Sequence, residues 1–162
     1  MKKTLIYISL ILVFIFIYLL QSLFFVNFTI AGVQPNIIVI LVLFIGLFMG
    51  RSRGIIYGVI YGILMDLWIG KNIGITSICL AIVGVIGGAF DKNFSKDSRI
   101  VILLIGAFCT LIYEVLLYIF QIIFFNVSVE IFPFLKIFVI EIIYNILIIT
   151  IIYPIMKNVG YE

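Results

Sequence analysis

The sequence contains no histidine. That removes the commonest general base and the commonest metal ligand. Charge is almost as scarce: 10% of the residues are Asp, Glu, Lys or Arg, and none lies between Thr4 and Gly50. Cysteine is limited to Cys79 and Cys109, both inside apolar runs and without clustered ligand spacing, so they read as reduced packing residues. The P-loop and dinucleotide glycine patterns are absent. Asp66 is the only aspartate in a membrane-length run, whereas an intramembrane aspartyl protease needs two that share a proton. Ser77 has no histidine or nearby lysine to activate it. No catalytic, cofactor-binding or metal-binding constellation is therefore expected. A net charge of +3 makes no electrostatic case for nucleic acid.

What the chain has in abundance is apolar length. Of its 162 residues 66% are hydrophobic, and the mean hydropathy is +1.45. A soluble domain runs nearer half apolar, so an integral membrane protein is expected. The uncharged stretch from Thr4 to Gly50 is too long for one span and suits two. Lys2-Lys3 precede an apolar run longer than a signal core, with no small-residue cleavage pattern after it, so this segment reads as a retained first span.

Six spans in a single all-α domain over residues 1–162 account for the pattern: 5–25, 36–50, 54–69, 73–90, 100–125 and 134–156. Pro35 opens the second and Pro133 the sixth, Arg51-Ser52-Arg53 makes a tight connection, and Gly70-Lys71-Asn72 a turn. With the N-terminus inside, eight of the ten cations (Lys2, Lys3, Arg51, Arg53, Lys92, Lys96, Arg99 and Lys157) fall on the inner side, and Lys71 and Lys136 on the outer. The positive-inside rule then places both termini in the cytoplasm.

Ten of the thirteen glycines lie between Gly46 and Gly88, so spans two to four are expected to pack closely. Gly54, Gly58, Gly62 and Asp66 are spaced by four and share one stripe of the third span. The stripe reads as helix-packing glue, or as a face prepared for a partner or substrate; common occurrence favours the first. Glu114 and Glu141 are the other carboxylates within spans, and Asn145 shares the Glu141 face. At about 1.5 Å per residue, Asp66 and Glu114 lie about 18 and 21 Å from the inner ends of their spans, and Glu141 about 10 Å below its outer end. The three form one layer in the outer half of the bilayer. Each either bonds to a neighbouring helix or belongs to a polar site opening outward; interhelical bonding is the commoner arrangement.

Gln34-Pro35-Asn36, a helix closing on Gly50-Arg51-Ser52-Arg53-Gly54, then Gly58, Gly62-Ile63-Leu64-Met65-Asp66-Leu67, Gly70 and Ile73-Gly74 together resemble the MreD family of rod shape-determining proteins. The likeness runs over about residues 34–90, with the flanks agreeing only in length and hydrophobicity. It implies a non-enzymatic, multi-pass protein of the bacterial cytoplasmic membrane that belongs to the cell-elongation machinery of lateral peptidoglycan synthesis. The implied partners are a bitopic MreC-like protein and, through it, RodA, its transpeptidase and MreB; apart from the resemblance, membrane lipids are expected partners, and a homo-oligomer is left open. It also implies a fold similar to the six-helix substrate-binding subunits of energy-coupling-factor vitamin transporters, which makes such a subunit the alternative. Short outer loops favour the scaffold. Gly54, Gly58, Gly62, Gly70 and Gly74 are the expected packing positions, and Asp66, Glu114, Glu141 and Asn145 the intramembrane polar ones.

Overall fold

Asn36 starts the helix around which the others gather. In the computed structural model, which describes residues 2–24, 29–69, 74–90, 98–125 and 130–159, α2 (Ile37–Met49) is buried at every position from Ile37 to Leu47. Its residues are apolar on all sides, and a helix without a polar face belongs in a core. The other helices are α1 (Lys2–Leu19), which runs into a π turn at Leu20–Phe24, α3 (Arg51–Ile69), α4 (Ile75–Ala89), α5 (Arg99–Phe125) and α6 (Ile131–Val159). Among the described residues the only β-type pairing is an isolated bridge between Ile30 and Val33.

Two apolar clusters share α2. One joins Ile38, Val42 and Ile45 to Phe14 of α1, Tyr57 and Tyr61 of α3, Leu80 and Val83 of α4, and Cys109 and Tyr113 of α5. The other joins Ile40, Phe44 and Leu47 to Ile102 of α5 and to Ile149 and Tyr153 of α6. Phe14 stacks on Tyr61 with ring centroids 4.5 Å apart, which anchors α1. Cys79 and Cys109 are buried free thiols.

Several boundaries differ from the sequence reading. Arg51, Ser52 and Arg53 are not a connection but the exposed first turn of α3. Gly50 alone joins α2 to α3: at φ 93° it reverses the chain in one residue, a conformation that suits glycine, and its N–H still donates to Gly46 O at 3.0 Å. Pro133 lies inside the first turn of α6, where its missing N–H costs nothing. Gly70-Lys71-Asn72 lies outside the described residues.

Length separates the helices. Among the described residues, α5 and α6 are long and apolar enough to cross a membrane, over Arg99–Phe124 and Ile131–Pro154. The 13 residues of α2 span only about 20 Å, against a hydrocarbon core of about 30 Å. A helix that ends short of water leaves its first N–H groups without solvent. In α2 those groups are met by side chains, described next.

Candidate functional site

α3 and α4 run antiparallel at backbone contact. A Cβ on Gly54 would stand 2.6 Å from Gly84 O, one on Gly58 2.5 Å from Leu80 O, and one on Gly62 2.5 Å from Ser77 N. Each step of four along α3 is thus answered by about one turn back along α4. Gly46 of α2 closes the other end: its Cβ would lie 2.7 Å from Gly84 O and 2.9 Å from Gly88 N. Gly84, Gly87 and Gly88 form the receiving surface. The sequence reading noted glycine enrichment here without assigning these three a packing role; their i, i+3, i+4 spacing is the signal that marks a helix face.

Asp66 is the next step of the ladder, and there the contact changes from steric to polar. Its Oδ2 accepts the Gly74 N–H at 2.7 Å and faces the Ser77 hydroxyl at 3.5 Å. The residue is 3% exposed. Gly74 is the N-cap of α4 at φ 105°, and Ser77 sits one turn into that helix. The carboxyl therefore ties the end of α3 to the start of α4 and occupies a helix N-terminus, where acceptor groups are favoured. Gly74 corrects the sequence reading. It was expected to pack, but an added Cβ there meets nothing within 4 Å; what needs glycine is the positive φ. Gly70 lies outside the described residues.

The remaining polar positions gather at the same end of the bundle, on the side formed by α2, α5 and α6. Asn145 is fully buried. Its Oδ1 accepts the Asn36 N–H at 3.0 Å, and its Nδ2 donates to Thr110 Oγ1 at 3.0 Å. Thr110 in turn donates to Gly106 O at 3.0 Å. Gln21, in the π turn after α1, accepts the Ile37 N–H at 3.2 Å, and Asn36 Oδ1 faces the Val39 N–H at 3.4 Å. Three backbone N–H groups at the start of α2 thus find acceptors from the π turn after α1, from the N-cap of α2 itself and from α6. Gln21 and Thr110 were missed from sequence; a lone amide at the end of the first apolar run was the available signal for Gln21.

This arrangement makes a checkable prediction. Gln21→Leu leaves the Ile37 N–H without its acceptor, so thermal melting of the detergent-purified protein should show a loss of about 1 kcal/mol. An unchanged melting temperature would mean that the π turn contributes nothing to α2.

Glu114 and Glu141 come within hydrogen-bonding reach of each other, and Asn36 reaches both Tyr113 and Glu141. Glu141 is 5% exposed, and its Oε1 is buried without a hydrogen-bond partner. The expected acidic layer is thus divided: Asp66 serves the α3–α4 hairpin, while Glu114, Glu141 and Asn145 form a separate network.

A model of the rod shape-determining protein MreD matches residues 1–159, essentially the whole chain. The chain belongs to the MreD family. The match extends the resemblance seen around residues 34–90 to the helices on both sides. No curated protein and no solved structure matches it. MreD membership gives the chain a part in rod shape determination, in a structural rather than catalytic family. The glycine ladder with its Asp66 closure is therefore the architecture of a shape-determining membrane protein.

Proposed function

We propose that this protein is a non-enzymatic scaffold of the bacterial cell-elongation complex, embedded by six spans in the cytoplasmic membrane with both termini inside. It holds a bitopic MreC-like protein and, through it, supports RodA, its transpeptidase and MreB in lateral peptidoglycan synthesis. The observation that carries this reading is the MreD family match over residues 1–159. The structure supports it in kind: α2, α3 and α4 meet at backbone contact, and a rigid packed core is what a scaffold needs to present fixed helix faces. α6 presents such a face, with Phe132, Leu135, Val139, Ile143, Leu147 and Ile151 exposed along it.

Affinity purification of the tagged protein from native membranes tests the proposal. Co-purification of an MreC-like protein with RodA and its transpeptidase is the expected result. Recovery of an ATPase module in their place would overturn the scaffold and support the transporter-subunit reading. The topology has its own test, resting on the eight-to-two division of cations. Reporter fusions at Asn126 and Ser95 should report outside and inside respectively; the same side for both would refute six spans.

A further inference from the structure

α1 stands beside α3 and touches it through two ring pairs. Phe14 meets Tyr61 with centroids 4.5 Å apart, and Tyr18 meets Trp68 at 5.4 Å. Both pairs advance together along the chain, so the two helices run parallel. Between them lies a groove of about 260 Å³. Ile11, Phe14, Ile15 and Tyr18 follow one stripe of α1, and Leu64 and Trp68, four apart, supply the α3 wall. Phe14 is buried, whereas Trp68 is 72% exposed. Among the described residues no charged side chain lines the groove.

A void of this size is uncommon in a packed interior, and an apolar lining does not retain water. Its occupant is therefore apolar. A helix, about 10–12 Å across with its side chains, does not fit inside so small a volume, whereas a single hydrocarbon chain does. The length agrees. From Ile11 to Leu19 the groove follows α1 for about 12 Å, close to the ~15 Å depth of one leaflet in a ~30 Å hydrocarbon core. Both helices also expose apolar side chains, Leu12 and Phe16 of α1 and Ile60 and Leu67 of α3, so the groove is continuous with the face that meets lipid.

The two ends differ as the ends of a phospholipid chain do. Tyr18 and Trp68 stand at the end that the six-span orientation places outward, the level where such rings concentrate in a bilayer. They bring a hydroxyl and an indole N–H, both donors. The phosphate and ester oxygens of a phospholipid are acceptors. The Ile11 end, towards the middle of the membrane, offers only hydrocarbon.

We infer that this groove holds one acyl chain of an outer-leaflet phospholipid, whose phosphate and ester oxygens accept from Trp68 and Tyr18. The inference rests on the six-span orientation proposed above and not on the scaffold role. The reporter fusions test that orientation separately, so a failure here beside the expected fusions falls on the groove alone.

Trp68 is the chain's single tryptophan, so its fluorescence reports on the groove directly. The probe is phosphatidylcholine brominated on one acyl chain, added to the delipidated protein in detergent. Quenching should saturate at a single lipid per protein. Bromines near the glycerol end of the chain should quench more than bromines near its methyl end. Ile15→Phe fills the groove from an exposed position that does not threaten the fold, and it should raise the half-saturating lipid concentration at least tenfold. Ile60→Phe, exposed on α3 outside the groove, should leave that concentration unchanged. Quenching that grows in proportion to lipid without saturating, stronger quenching from the methyl end, or an unchanged half-saturation in Ile15→Phe would each overturn the inference. A photoreactive residue in place of Ile15 identifies the occupant in native membranes. A phospholipid adduct is the expected product; a polypeptide adduct would give the groove to a partner helix and overturn the assignment.

Discussion

Gly62→Leu is expected to abolish accumulation of folded protein in the membrane. The first side-chain carbon alone would collide with the Ser77 backbone, lying 2.5 Å from its nitrogen. A backbone obstacle cannot rotate away as a flexible side chain can, so α3 and α4 must separate. Separation also opens the Gly54–Gly84 and Gly58–Leu80 contacts, and it pulls Asp66 from Gly74. Overpacking typically costs about 1–3 kcal/mol, and here one substitution disturbs every step of the hairpin. Gly62→Ala should already fall in that range. Gly106→Ala is the matched comparison: its nearest obstacle is Ile149 Cδ1, the far end of a flexible side chain. Repacking there is offset by the gain in helix propensity, about 1 kcal/mol, so this variant should stay near wild type. The measurements are membrane abundance and thermal melting in detergent. Wild-type abundance and melting in Gly62→Leu would refute the close contact.

The contrast between these two glycines shows what sequence could and could not convey. The ladder was legible because a period of four needs only the geometry of one helix. That Glu114 and Glu141 stand at one level was expected for the same reason, from the rise per residue, and the two do meet in the folded chain. What stayed hidden depends on which helices become neighbours. Gly84, Gly87 and Gly88 acquire a role only once α4 is laid against α3 and α2. Asn145 reads as a companion of Glu141 along α6, but its hydrogen bonds run to Asn36 and Thr110 on other helices.

Local backbone chemistry hid the rest. Gly50 looks like one more ladder position, being four residues from Gly46 and Gly54, yet its φ of 93° makes it the hinge between two helices. Gly74 was taken for a packing residue on the same logic, and it too has positive φ. Spacing alone does not distinguish a glycine that admits a neighbour from one that turns the chain. Pro154 ran the other way: it lies within α6, where proline removes an intrahelical bond, without ending the helix. The second span reads as short, at 36–50, but what permits a short helix was unreadable: Gln21 and Asn145 serve in place of water at its first turn.

Asp66 should tolerate asparagine and fail with leucine. Among the described residues Oδ2 makes the contacts, as acceptor from the Gly74 N–H at 2.7 Å and, more weakly, opposite the Ser77 hydroxyl at 3.5 Å. Asparagine keeps the shape and presents a carbonyl oxygen that can take the same place, so Asp66→Asn should remain within about 1 kcal/mol of wild type, the net worth of a typical hydrogen bond. Leucine supplies no acceptor. It strands the Gly74 N–H at the buried start of α4, and an unsatisfied buried donor costs about 1–3 kcal/mol. The loss falls at the hairpin end, where no glycine contact follows to hold α4 in place. Rod-shape rescue in a strain lacking the protein is the functional readout, with membrane abundance recorded alongside. The clasp reading requires shape and abundance to fall together in Asp66→Leu and to stay together near normal in Asp66→Asn. Loss of shape in both variants at full abundance would instead mean that the carboxylate charge meets a cationic partner. Normal rods with Asp66→Leu would show that the hairpin holds without its clasp, leaving the glycine contacts alone to fix α3 on α4.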